Sequence, residues 1–115
     1  MNRATWKRLE TVAHQAVEEA LAELPDEIRD AARGVPCLFQ EWHEEDPALL
    51  GIYCDFSPGE VSEANGPIIL YLAAIDEFCR DENEDFAAEV RLTFLHELGH
   101  HFGWDEGDLD ERGLA

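Results

Sequence analysis

Apolar residues recur through residues 5–24 at Leu9, Val12, Ala13, Ala16, Val17, Ala20, Leu21 and Leu24. This i, i+3, i+4, i+7 stripe predicts a surface helix with one buried face. Thr5 is its expected N-cap and Pro25 its stop. Pro25-Asp26-Glu27 reads as a fresh helix start, with proline at the first position and acids in the first turn. The short second helix should run to Arg33 and close at Gly34. Residues 35–42 are apolar, hold an aromatic and follow a glycine, which predicts a strand. A polar connection at 43–47 leads to a short strand or extended turn over 49–56. Pro58, Gly59, Asn65 and Gly66 make 57–66 a loop.

Residues 67–74 are the strongest strand candidate, an unbroken apolar run that suggests burial on both faces. An acidic link follows at 76–84, with a helical turn expected around Phe78 and Cys79. From Asp85 the helical period returns through Phe86, Ala87, Val90, Phe94, Leu95, Leu98 and Phe102, which predicts a long, centrally packed helix. The order α-α-β-β-β-α points to an α+β fold, a small sheet packed against an N-terminal helix and a C-terminal helix. With no internal repeat or boundary signal, residues 1–115 are read as a single domain.

Charge narrows the partners. The 115 residues hold 27 acidic and 8 basic side chains, a formal net charge of -19. Phosphate backbones and anionic membrane surfaces would be repelled, so neither nucleic acid nor membrane is expected as a partner. The acids are spread along the whole chain, as on a solvated acidic surface. A weak pull on cationic substrates is the functional counterpart. The longest apolar run, 68–75, is too short to span a bilayer. Trp6-Lys7-Arg8 leads straight into the amphipathic pattern and not into a signal segment. Cys37, Cys54 and Cys79 are odd in number and form no C-x-x-C pair. They are expected as small buried hydrophobes in a reducing cytoplasm. A monomer is the expected state.

The candidate chemistry lies in the last helix. His96 and His100 are four residues apart, about 40° around a helix axis and about 6 Å along it, so both imidazoles can reach one point. A tetrahedral Zn²⁺ ion needs that of two ligands. Glu97 points about 100° away from His96, beside the metal position, where a carboxylate can act as general base on water. Glu106, ten residues after His96 and beyond a turn at Gly103, is the candidate third ligand; Asp105, Asp108 and Asp110 remain open. His101 should point away from the shared metal. His14 is read as packing or solvent-facing, and His43 as a solvated histidine in an acidic loop. The bland alternative for the motif is a polar helix end with histidines near the negative end of the dipole.

The pattern His96-Glu97-x-x-His100-x-x-Gly103-x-x-Glu106 resembles the zincin metallopeptidases, with a spacing similar to that of metzincins. Metzincins carry His, or occasionally Asp, at the place of Glu106, and a methionine turn under the metal. Here the only methionine is Met1. The chain more closely resembles the small bacterial zincin-like metallopeptidase family. Three features carry that resemblance: an amphipathic first helix ending in Leu24-Pro25, the segment Leu50-Gly51-Ile52-Tyr53, and the run from His96 to Gly103 followed by Asp105-Glu106 and Asp108-Leu109. The resemblance implies a compact minimal zincin fold, a bound Zn²⁺ and a zinc-dependent peptidase site acting on a peptide or protein substrate. Zincins often add a Tyr or His that stabilises the oxyanion; Tyr53 and Tyr71 are both candidates. An extended substrate would pair with the edge of one of the segments 35–42, 49–56 or 67–74. Unused carboxylates near the site would orient the imidazoles. Trp104 and Leu109 are expected to pack the tail beneath the site. The alternative reading is a catalytically weak or inactive zinc-binding interaction domain that retains the site.

Overall fold

A computed structural model describes residues 1–54, 67–103 and 111. Helix α1 spans Arg3–Ala22, starting earlier than the apolar stripe alone indicates. Its N-cap is Asn2, whose Oδ1 accepts the Thr5 backbone N–H at 2.8 Å. Thr5 therefore lies inside the first turn and is not the cap. Leu9, Ala13, Ala16, Val17, Ala20 and Leu21 form the buried face. Val12, at the margin of that stripe, is exposed. Helix α2 spans Asp26–Arg33, with Pro25 as the N-cap one position before the first helical residue and Gly34 as the C-cap. The Arg33–Glu18 ion pair joins α2 to α1.

Strands β1 (Cys37–Gln40), β2 (Gly51–Tyr53) and β3 (Ile68–Tyr71) form one sheet in the order β1-β3-β2. β1 runs parallel to β3, pairing Cys37 with Ile68 and Phe39 with Leu70. β2 runs antiparallel to β3, pairing Gly51 with Leu70 and Tyr53 with Ile68. The central position of β3 explains its apolar run, since Ile68 and Leu70 are fully buried.

The apolar run does not stay extended to its end. β3 stops at Tyr71, and Leu72 opens an eleven-residue helix, α3 (Leu72–Glu82), where an acidic link with a single helical turn was expected. The reason is that an unbroken apolar run carries no period to separate a buried strand from a buried helix. Leu72, Ala73, Ala74 and Ile75 are all buried, and the alanine pair favours helix. Asn83 closes α3 in the left-handed region at φ 57°, a conformation that asparagine tolerates better than most residues.

Helix α4 spans Phe86–His101 and is the middle of the molecule. It packs against α1 on one side and against β2, β3 and α3 on others. Val90, Phe94, Leu95 and Leu98 are its buried core residues. An Arg91–Glu23 ion pair ties its solvent side to α1; exposed pairs of this kind contribute at most about 1 kcal/mol. β2 approaches α4 closely because Gly51 has no side chain. A Cβ there would stand 2.8 Å from Thr93 Cγ2, 3.1 Å from Leu70 Cδ2 and 3.2 Å from the Ile69 carbonyl oxygen. Among the described residues, four helices and a small mixed sheet make this an α+β fold. Among the described residues no helix is long and apolar enough to cross a membrane.

The three cysteines are free, Cys79 buried and Cys37 and Cys54 half-buried. Burial pushes the Cys37 thiol up to about 12. The Cys79 thiol is pushed up to about 11, by burial first and then by Glu89, Asp76, Asp85 and Glu84. Protonated thiols of this kind are inert packing groups.

Candidate metal centre

Helix α4 starts on Asp85, whose Oδ2 accepts the Ala88 backbone N–H at 2.9 Å. From there the helix is continuous to His101, so the spacing of its residues has geometric meaning. It ends at Phe102, whose N–H bonds the Leu98 carbonyl, followed by Gly103 with its N–H on the His100 carbonyl. Gly103 is left-handed at φ 73°, and a Cβ would meet nothing within 4 Å. Glycine is thus required there by backbone conformation and not by space.

His96 and His100 converge as their spacing predicts. Their Nε2 atoms are 3.1 Å apart and their ring centroids 4.7 Å. Two imidazole ligands of one tetrahedral zinc, each at about 2.05 Å, would be about 3.3 Å apart. Among the described residues His96, Glu97 and His100 form the one group able to hold a metal ion, with ligand atoms all within 4.8 Å of one another. The donor set, two imidazoles with a carboxylate alongside, suits zinc, and the carboxyl-terminal end of α4 favours positive charge. The residues present therefore fit such an ion.

Glu97 is half-buried. Burial pushes its carboxyl above the usual carboxylate range, while His100 and His96 pull it the other way. A raised proton affinity is the direction a general base requires. His100 is exposed and His96 half-buried, so the pair is reachable from solvent.

His101 does not join the group. Its ring meets the Tyr53 ring edge-on, with centroids 5.5 Å apart and planes at 87°, and packs on Phe102 at 5.0 Å. Its Nδ1 is buried without a hydrogen-bond partner. Burial lowers its pKa. His14 is exposed on α1. His43 differs from expectation, being half-buried and structured. Its Nδ1 accepts the backbone N–H groups of Glu45 and Asp46, both at 3.1 Å, and its ring meets Tyr71 edge-on. Accepting those bonds places the proton of the neutral ring on Nε2. The histidine organises the 43–46 turn.

The two tyrosines now separate. Tyr53 packs on α4 through His101, whereas Tyr71 is buried against His43. The Tyr71 hydroxyl is raised by burial first and then by Cys54 and Glu44. Nothing in the sequence pattern singles out Thr93, and Gly51 stands only within the longer segment 50–53. A glycine inside a strand was the available signal, since it marks a close backbone approach. Glu106, Asp105, Asp108 and Asp110 lie outside the described residues, as do Trp104, Leu109 and the 57–66 loop.

A family model described as zincin-like metallopeptidase matches residues 32–114. The match takes in the sheet, α3 and the helix bearing His96, Glu97 and His100. No curated protein matches the chain.

Proposed function

The chain belongs to the zincin-like metallopeptidase family, and from that membership we propose that it hydrolyses peptide bonds at His96, Glu97 and His100 with a zinc ion. The carrying observation is the convergence of the two Nε2 atoms, with the Glu97 carboxyl beside them. His96 and His100 would hold the ion together with Glu106, the acid whose spacing suits it best; Asp105, Asp108 and Asp110 are its rivals. When bound, zinc supplies a Lewis acid that polarises the scissile carbonyl and makes water easier to deprotonate.

The protein's own groups do the rest. Glu97 takes the proton from the attacking water at its carboxylate and passes it to the nitrogen of the leaving amine. Its partial burial keeps the returning proton on the carboxyl long enough to be delivered and not lost to solvent. Tyr53 is the better-placed candidate to steady developing charge, because it packs against the motif helix. An extended substrate would pair with β2. Among the described residues β3 is interior to the sheet, and β2 is the edge strand packed on α4. Bonds from Tyr71 N–H to the Leu50 carbonyl and from Cys54 N–H to the Pro67 carbonyl turn those residues toward β3. By alternation the Gly51 N–H and carbonyl face away from β3.

The test is Glu97→Gln in the zinc-loaded protein, assayed on a fluorogenic peptide library with zinc content measured in parallel. Retained zinc with cleavage reduced by about a thousandfold or more is the expected result, since the base and its proton delivery are both lost. Equal cleavage by wild type and variant would sink the proposal.

A further inference from the structure

Thr93, Glu97 and His101 follow one another at four-residue intervals and form a single ridge along α4. Strand β2 touches both ends of that ridge. At one end Gly51 lies against the Thr93 methyl, so close that a Cβ would stand 2.8 Å from it. At the other the Tyr53 ring stands edge-on to His101 at 5.5 Å. Gly51 and Tyr53 are two residues apart, so both side-chain positions lie on the face of the sheet that meets α4. Thr93 and His101 are about 12 Å apart along the helix. Two strand residues cover about 6.6 Å of that, and the length of the tyrosine side chain covers the remainder. Glu97 lies midway along that ridge and is half-buried.

We propose that β2 is a clamp on Glu97, seated by Gly51 against Thr93 and held by Tyr53 against His101, and that Gly51 and His101 are positioning residues for peptide hydrolysis. The proposal rests on the peptidase reading of the site. It gives His101 a role that its neighbour His100 does not share. The His101 ring is used for its shape, which is consistent with an Nδ1 that is buried and makes no hydrogen bond. A phenylalanine would present the same edge and face to Tyr53. Pairing with β3 holds the three-residue strand in the sheet, and the contacts with Thr93 and His101 hold it on α4.

The experiment uses the full zinc-loaded chain and the best-cleaved member of a fluorogenic peptide library. His101→Ala should keep its zinc and lower kcat by about tenfold to a hundredfold, with KM changing little, as expected when a reacting group is misplaced by an ångström or less. His101→Phe should recover most of that kcat. Gly51→Ala should also lower kcat, and Thr93→Ser, which removes the methyl the new Cβ would meet, should restore part of it in the double variant. Amide exchange of β2 in the zinc-free protein should quicken in His101→Ala, a readout that needs no activity. Full kcat in His101→Ala, equal loss in His101→Ala and His101→Phe, or unchanged β2 exchange would each overturn the clamp. A wild type that holds zinc and cleaves no peptide would instead overturn the reading on which it rests.

Discussion

His96 Nε2 and His100 Nε2 stand 3.1 Å apart across one turn of α4. Two nitrogens at that separation share at most one proton between them as a hydrogen bond, or both turn lone pairs to one cation. The second arrangement satisfies both rings, and a cation so held would favour the folded helix over an unfolded chain.

Zinc should therefore stabilise the fold. At free zinc one hundred times the dissociation constant the gain is about 2.7 kcal/mol, a rise in melting temperature on the order of 10 °C. A thermal melt with zinc and with chelator measures it. His96→Ala and His100→Ala should each abolish the difference. A zinc-induced rise that persists in both variants would place the ion elsewhere.

Two thiols set an alkaline limit on stability. Cys37 and Cys79 are raised from 9.0 to about 12 and about 11 in the folded chain. Below pH 9 both states hold the proton and the folded chain loses nothing. Above it the unfolded chain releases protons that the folded chain retains, so stability falls as pH rises toward those folded values. The loss is up to about 1.4 kcal/mol per pH unit for each thiol. Urea unfolding at about pH 8 and about pH 10.5 should show a lower midpoint in the second condition. In a Cys37→Ala, Cys79→Ala variant the difference between the two conditions should shrink; an undiminished difference would assign the alkaline loss to other groups.

The N-cap of α1 offers a sharp comparison between neighbouring positions. Asn2→Ala removes the acceptor of the Thr5 N–H and should cost about 1 kcal/mol in unfolding free energy. Thr5→Ala leaves that bond in place and should cost less than about 0.5 kcal/mol. Chemical denaturation of the two variants distinguishes them, and the reverse order would return the cap to Thr5.

Much of this protein is local and periodic, and that part was legible in the chain itself. The stripe of α1, the acid-rich start of α2, the glycine at the end of α4 and the four-residue spacing of His96 and His100 all depend on one helix at a time. Helix geometry alone brings those two rings together, whatever surrounds them. The split of the apolar run 68–75 between β3 and α3 was not legible. A uniformly apolar run takes its conformation from what covers it, and here the sheet covers one part and α4 the next. Nor was the structured state of His43, which depends on the turn its own Nδ1 organises and on Tyr71 from another element.

The site divides along the same line. The sequence by itself determined the two imidazoles, the carboxylate beside them and the left-handed glycine that follows, because a regular helix and one dihedral angle are sufficient for each. Only the tertiary structure decided that α4 lies between α1 and the sheet, that β2 is the edge strand packed against it, and that Gly51 and Tyr53 meet Thr93 and His101 on either side of Glu97. Those contacts join residues more than forty positions apart in the chain. Their register is set by packing between elements, which no local pattern encodes.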